Sequence, residues 1–184
     1  MIHFARPVSS RILQAAAVLA AALCLSPARA EPVIPGVIKI EYGYFCALDA
    51  VGEREAEDTV SGVIRQVEDT PQFIQYGPLV PATRGVGFGV YVQVKPEYDG
   101  VVLAITENPP MGPNGQTRQT FPTTVSSDEQ SYVGFAFERR YELVTGPWRM
   151  SAELNGRLIY SVDFLVVDPE TMPSVSCGVE VPLS

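Results

Sequence analysis

The sequence is poor in histidine, cysteine, tryptophan and positive charge, and each shortage narrows what the protein can do. Its 184 residues hold one histidine, three cysteines, one tryptophan, and 13 Lys plus Arg against 21 Asp plus Glu. The histidine is His3, inside a leader-like segment, so the chain beyond residue 30 has no imidazole. Ser-His-Asp triads, Cys-His dyads and histidine-ligated metal centres are thereby excluded from it. Arg6, Arg11 and Arg29 fall in the same segment, leaving ten bases against 21 acids and a balance of −11. That charge repels phosphate backbones and anionic headgroups, so no nucleic-acid partner is expected. Arg139-Arg140 reads as an exposed turn balancing local acids. Long apolar runs are lacking too. Ile12 to Leu25 is a 14-residue stretch interrupted by Gln14, and as a helix it rises only about 21 Å, short of the roughly 30 Å hydrocarbon core. With Arg6 and Arg11 before it and Ala28-Arg29-Ala30 after it, the run has the form of a signal peptide cut after Ala30. The expectation is a signal peptide at 1–30, a single domain at 31–184, a periplasmic or secreted location, and no stable membrane insertion after cleavage.

Removal of the leader takes Cys24 and leaves Cys46 near the start of the domain and Cys177 near its end. An even count in an oxidising compartment predicts a disulfide between them, with two buried free thiols as the alternative. A catalytic thiol lacks the histidine that would lower its pKa.

What is present is β-branched. Residues 31–184 contain 22 Val against 8 Leu and 7 Ala, which favours pleated sheets over helices. Val86, Phe88, Val90, Val92 and Val94 alternate with Gly87, Gly89, Tyr91, Gln93 and Lys95, the pattern of a half-buried strand. From Ile38, the residues Ile38, Ile40, Tyr42, Tyr44 and Cys46 share one side. Pro96 to Gly100 ends on Asp99-Gly100 and predicts a hairpin joining Val86–Lys95 to Val101–Thr106. A second hairpin is predicted across Asn155-Gly156, between the alternating runs Trp148 to Leu154 and Leu158 to Val166. Val60 to Val67, Phe73 to Tyr76 and Tyr132 to Phe137 are weaker strand candidates, and Val175 to Val181 reads as a closing strand. Seven to nine short strands predict an all-β, antiparallel β-sandwich, with a small β-barrel as the alternative.

Gly146-Pro147-Trp148-Arg149-Met150, then Asn155-Gly156, then Phe164-Leu165-Val166 resembles the closing hairpin of bacterial immunoglobulin-like domains. Together with the leader and the Tyr42-Gly43-Tyr44-Phe45-Cys46 start, the chain resembles an uncharacterised bacterial family of small exported proteins with an immunoglobulin-like domain of unknown function. That resemblance implies an immunoglobulin-like sandwich and brings no catalytic residue with it.

Asn108 to Gln119, rich in proline and glycine, reads as a long connecting loop at one end of the sandwich, where binding residues concentrate; Asn108, Met111, Asn114 and Arg118 are its candidates. Glu53, Glu55, Glu57 and Asp58 could offer oxygens to Ca²⁺ if their segment curled, but they lack the Asp-x-Asp-x-Gly rhythm and read as a solvated acidic loop. Glu97, Asp99, Glu138 and Glu142 are the carboxylates open to general acid-base work. Gly87 and Gly89, beside Tyr91, mark a slot, a bulge or the seat of a neighbouring ring. Trp148 reads as the central packing residue of the sandwich. Taken together these features point to an exported, non-catalytic binding or assembly module without metal or cofactor, its partner an envelope protein or glycan. A carboxylate-dependent glycan hydrolase and a calcium-stabilised adhesion module are the alternatives.

Overall fold

The computed structural model describes residues 31–178. The signal peptide assigned to residues 1–30 lies outside the described residues, as does the end of the predicted closing strand beyond Gly178. In chain order the strands are β1 (Val37–Cys46), β2 (Gly52–Glu55), β3 (Val63–Gln66), β4 (Phe73–Tyr76), β5 (Leu79–Pro81), β6 (Val86–Val94), β7 (Gly100–Met111), β8 (Gln116–Val125), β9 (Ser131–Ala136), β10 (Gly146–Leu154) and β11 (Arg157–Val167). One sheet has the order β4-β1-β6-β9 and the other β5-β11-β10-β7-β8, while β2 and β3 form a separate hairpin. The two large sheets face each other as a sandwich of nine strands. Both have free edges, so the barrel alternative is corrected. Pairing is antiparallel throughout, except that β5 runs parallel to β11.

The valine pattern places the core. Val86, Phe88, Val90, Val92 and Val94 on β6 meet Trp148, Met150 and Ala152 on β10 and Tyr160, Val162, Phe164 and Val166 on β11, all buried. Trp148 is 1% exposed, and the rings of Phe88, Phe135 and Phe137 surround it at centroid distances of 5.4, 5.2 and 6.0 Å. The turn between β10 and β11 uses Asn155 at φ 50° and Gly156 at φ 75°, the left-handed pair that a two-residue hairpin requires.

Three sequence expectations are corrected. First, β6 and β7 are not hairpin partners. A 3-10 turn at Pro96–Tyr98 carries the chain from one sheet to the other, with Tyr98 buried at the corner and Gly100 at φ 113°. A proline-led turn with a glycine exit suits a hairpin and a sandwich corner equally well, and only the partners on either side distinguish them. Second, Asn108 to Gln119 is not a long loop. It is the tip of the β7–β8 hairpin, with only Gly112–Gly115 between the strands. Third, residues 173–178 form no strand. The face assignment of β1 also changes at its start: the register shifts between Val37 and Lys39, so Val37 is buried and Ile38 is exposed.

Strand order forces an excursion of the chain. Asp58 and Arg54 anchor the β2–β3 unit to the β8 edge, through Asp58 O to the Thr120 N–H and Arg54 Nη2 to Pro122 O. Strand β4, however, lies at the opposite edge of the first sheet, beside β1. Residues 67–72 therefore cross the outer face of that sheet near its Cys46 end, with Pro71 buried. The disulfide between Cys46 and Cys177, 131 residues apart, ties the C-terminal tail to the same end.

Candidate functional site

The β2–β3 unit and the crossing segment enclose a cavity of about 140 Å³ against the free edges of β8 and β9. Its apolar lining includes Phe45, Leu48, Val63, Phe121 and Phe135, supplied by β1, the loop after it, β3, β8 and β9. Its polar lining includes Glu53, Arg65, Thr106, Tyr132, Glu138 and Glu142. A second groove, about 340 Å³, continues from it between β3 and the Phe121–Thr124 edge of β8, with Tyr132 and Gly134 shared between the two.

Glu142 is the group that distinguishes the cavity. It ends a short 3-10 turn, Arg140–Glu142, and is only 6% exposed. Its Oε2 accepts the backbone N–H groups of Glu138 and Arg139, both at 2.7 Å. Oε1 takes part in neither bond and is not among the sealed, unpartnered side-chain atoms of the described residues, so it faces the cavity solvent. Burial raises this carboxyl above the ordinary range, and the Arg139 N–H and the charges of Arg139 and Arg65 pull part of the way back. Glu138 forms an ion pair with Arg65, whose cross-strand neighbour is Glu53. Burial, reinforced by Tyr91, holds the Tyr132 hydroxyl in its protonated form.

The raised Glu142 carboxyl has a consequence for stability. Where its folded pKa exceeds the unfolded one, the folded protein binds more protons, so stability falls as pH rises through that window. Glu142→Gln removes this titration. Denaturant unfolding of both proteins from about pH 4 to pH 7 should show wild-type stability relative to the variant largest in acid and declining with pH. A difference that is flat, or that grows with pH, would disprove the raised carboxyl.

The sequence-derived candidates have different fates. Glu138 and Glu142 come together at the cavity, but Glu97 and Asp99 lie at the other end of β6, between β6 and β7. Asp99 there accepts the backbone N–H and then the hydroxyl of Ser127, which lower its pKa. Asn108 is buried, and its amide bonds Pro109 O and Gln116 O, pinning the hairpin. Met111 is buried in the core, while Asn114 and Arg118 are exposed on the hairpin. The polar hairpin thus latches the β2–β3 unit: Gln119 Oε1 accepts the Val60 N–H and Gln116 Nε2 donates to Asp58 O. Glu53 and Glu55 belong to an extended strand, so the acidic segment does not curl at that point. Among the described residues no three His, Cys, Asp or Glu side chains are grouped to hold a metal ion. Trp148 and the glycines are structural: a Cβ on Gly87 would strike the Phe45 ring at 2.3 Å, and one on Gly89 the Val133 carbonyl at 2.3 Å. Arg65, Thr106, Tyr132 and the Phe45–Phe121–Phe135 lining escaped the sequence reading because five separate segments contribute them, with no common spacing.

Residues 34–166 match the family described as Domain of unknown function (DUF3859). The chain belongs to this DUF3859 family. Among solved structures, the DUF3859 chain is similar to an immunoglobulin-like protein from Pseudomonas aeruginosa, at 26% identity and a TM-score of 0.47. The alignment covers 76% of this chain and 99% of that one. No curated protein matches the chain. This DUF3859 domain is a two-sheet β-sandwich whose cysteine pair joins its terminal regions. No helix among the described residues is long and apolar enough to cross a membrane.

Proposed function

We propose that this protein is exported and works as a non-catalytic binding module, engaging an envelope protein or glycan at the cavity beneath the β2–β3 hairpin. The observation that carries the reading is Glu142, a buried carboxylate with one oxygen unclaimed in a recess lined by aromatic rings. A recess that sets fixed polar groups among apolar rings is a usual form of ligand site. Export rests on the leader-like residues 1–30 and accords with the disulfide.

The same pair of acids supports a second reading, a carboxylate-dependent glycan hydrolase, because Glu138 and Glu142 converge and Glu142 is shifted toward the protonated form. Against it, Arg65 holds Glu138, and Glu142 gives one oxygen to two backbone N–H groups as a fold-stabilising cap.

Val67→Trp, at the half-buried wall shared by the cavity and the groove, tests both. Offered purified cell-wall glycan and fractionated envelope proteins, the immobilised wild type should bind one of them, and the variant should lose at least tenfold in affinity for it. Mass spectrometry of the incubated glycan should show no cleavage. Equal binding by wild type and variant would overturn the cavity as the site, and cleavage abolished by Glu142→Gln would replace the binding module with the hydrolase.

A further inference from the structure

The outer face of the β4-β1-β6-β9 sheet carries an aromatic row that the sandwich core does not require. Cross-strand register places Tyr76, Gly43, Gly89 and Gly134 side by side over four strands. Glu41, Tyr91 and Tyr132 form the next row on one side, and Phe73, Phe45, Gly87 and Ala136 the next on the other. The three glycines make room for rings that lean in from the flanking rows: the Tyr132 ring lies on Gly134, and Gly43 and Gly89 are buried. The result is a continuous chain: Tyr132 to Tyr91 at 5.7 Å, Tyr91 to Phe73 at 4.6 Å, and Phe73 to Tyr76 at 5.3 Å between centroids. Tyr76 is 65% exposed, and Phe73, Tyr91 and Tyr132 are half-buried. At its other end the chain enters the cavity, because Tyr132 and its ring neighbour Phe45 both line it.

The strands of this face carry little charge, its exposed Glu68 and Asp69 belonging to the segment that crosses it near the Cys46 end. Its strands present Glu41 as their one outward acid, paired with Lys39 at 3.2 Å. Gln130 bridges the two, donating to Glu41 and accepting from Lys39, and Gln93 lies across from Lys39. In a chain with 21 acids, the strip on the strands themselves is charge-compensated and amide-rimmed, which suits a neutral partner better than a charged one.

We propose that this row is the binding track for an uncharged oligosaccharide, whose end residue enters the cavity. A pyranose has an apolar C–H face that stacks on the electron-rich face of an aromatic ring, and hydroxyls at its rim that suit amides and carboxylates. The rings meet at 45° to 69° rather than lying coplanar, so Tyr76 offers the exposed stacking face, the half-buried rings behind it wall the path to the cavity, and Glu142 and Thr106 line the recess that receives the end sugar. The proposal rests on the binding-module reading and identifies its ligand class.

The test uses the exported protein and two soluble probes, the β-1,4-linked tetrasaccharides of N-acetylglucosamine and of glucose, followed by calorimetry and by saturation transfer from the tyrosine rings. At least one should bind, with transfer to its ring C–H protons. Tyr76→Ala should weaken binding roughly five- to tenfold, and Tyr76→Phe should restore it, since the stacking face is what matters. Tyr76 is exposed enough for both variants to fold, which circular dichroism checks. Absence of binding by either probe, or binding unaltered by Tyr76→Ala, would overturn the track. Capture of an envelope protein that Val67→Trp abolishes, with neither tetrasaccharide bound, would refute the glycan assignment and leave the binding module standing.

Discussion

Trp148→Ala should destabilise the domain by about 4 kcal/mol, lowering the midpoint of thermal unfolding by roughly 10 °C. Three consequences add up at this position. The indole is almost wholly buried between the sheets, so its removal forfeits a large transfer term and leaves a cavity. The cavity cannot collapse readily, because Phe88, Phe135 and Phe137 are fixed around it on β6, on β9 and just beyond β9. The Val144 carbonyl, which accepts the indole N–H at 3.0 Å, also loses its partner. Denaturant unfolding followed by far-ultraviolet circular dichroism measures the loss without needing the tryptophan as reporter. Trp148→Phe should recover about half, because it keeps the edge-on ring contacts but not the volume or the N–H. A loss below about 1 kcal/mol for Trp148→Ala would mean that the two sheets close elsewhere.

The second large effect belongs to the disulfide. Cys46→Ala with Cys177→Ala should lower stability by about 3 to 5 kcal/mol, near the chain-entropy value for closing a loop with a sequence separation of 131. The native structure gives a further reason to expect a large effect. After β11 ends at Val167, the described part of the tail, to Gly178, has one 3-10 turn, Pro169–Thr171, and no strand pairing. Met172, Val175 and Cys177 nonetheless pack against the core, and the sulfur link keeps them there. Hydrogen exchange should therefore show residues 172–178 losing protection in the double variant before β10 and β11 do. Reduction of the wild type should reproduce the shift in midpoint. A midpoint unmoved by reduction would show that packing alone holds the tail.

Much of the sandwich was legible because its signals are local. The period-two valines of β6 reveal a buried face irrespective of what covers it, and Asn155-Gly156 specifies a left-handed turn by its own conformational freedom. The Pro96–Gly100 turn shows where such local reading stops. Its residues reverse the chain, but whether the next strand pairs with the last or joins the opposite sheet depends on β1 and β9 having already claimed both edges of β6. Asn108 and Met111 failed as surface candidates for the same kind of reason. Proline and glycine density suggested a loop, while the pairing of Met111 with Gln116 and the burial of both candidates made that stretch a hairpin tip.

Composition and pattern by themselves determined the chemistry that is closed to this domain, the all-β class, the identity of most core residues and the tightest hairpin, because each depends on residue type or on neighbours a few positions away. Tertiary structure alone decided that residues from five segments meet in one recess, that a glutamate only 6% exposed keeps an oxygen free of protein bonds there, and that three glycines align beneath a row of rings. Those features arise from register and strand order, which are set by the simultaneous burial of many side chains across the whole sandwich and leave no trace in the spacing of any one segment.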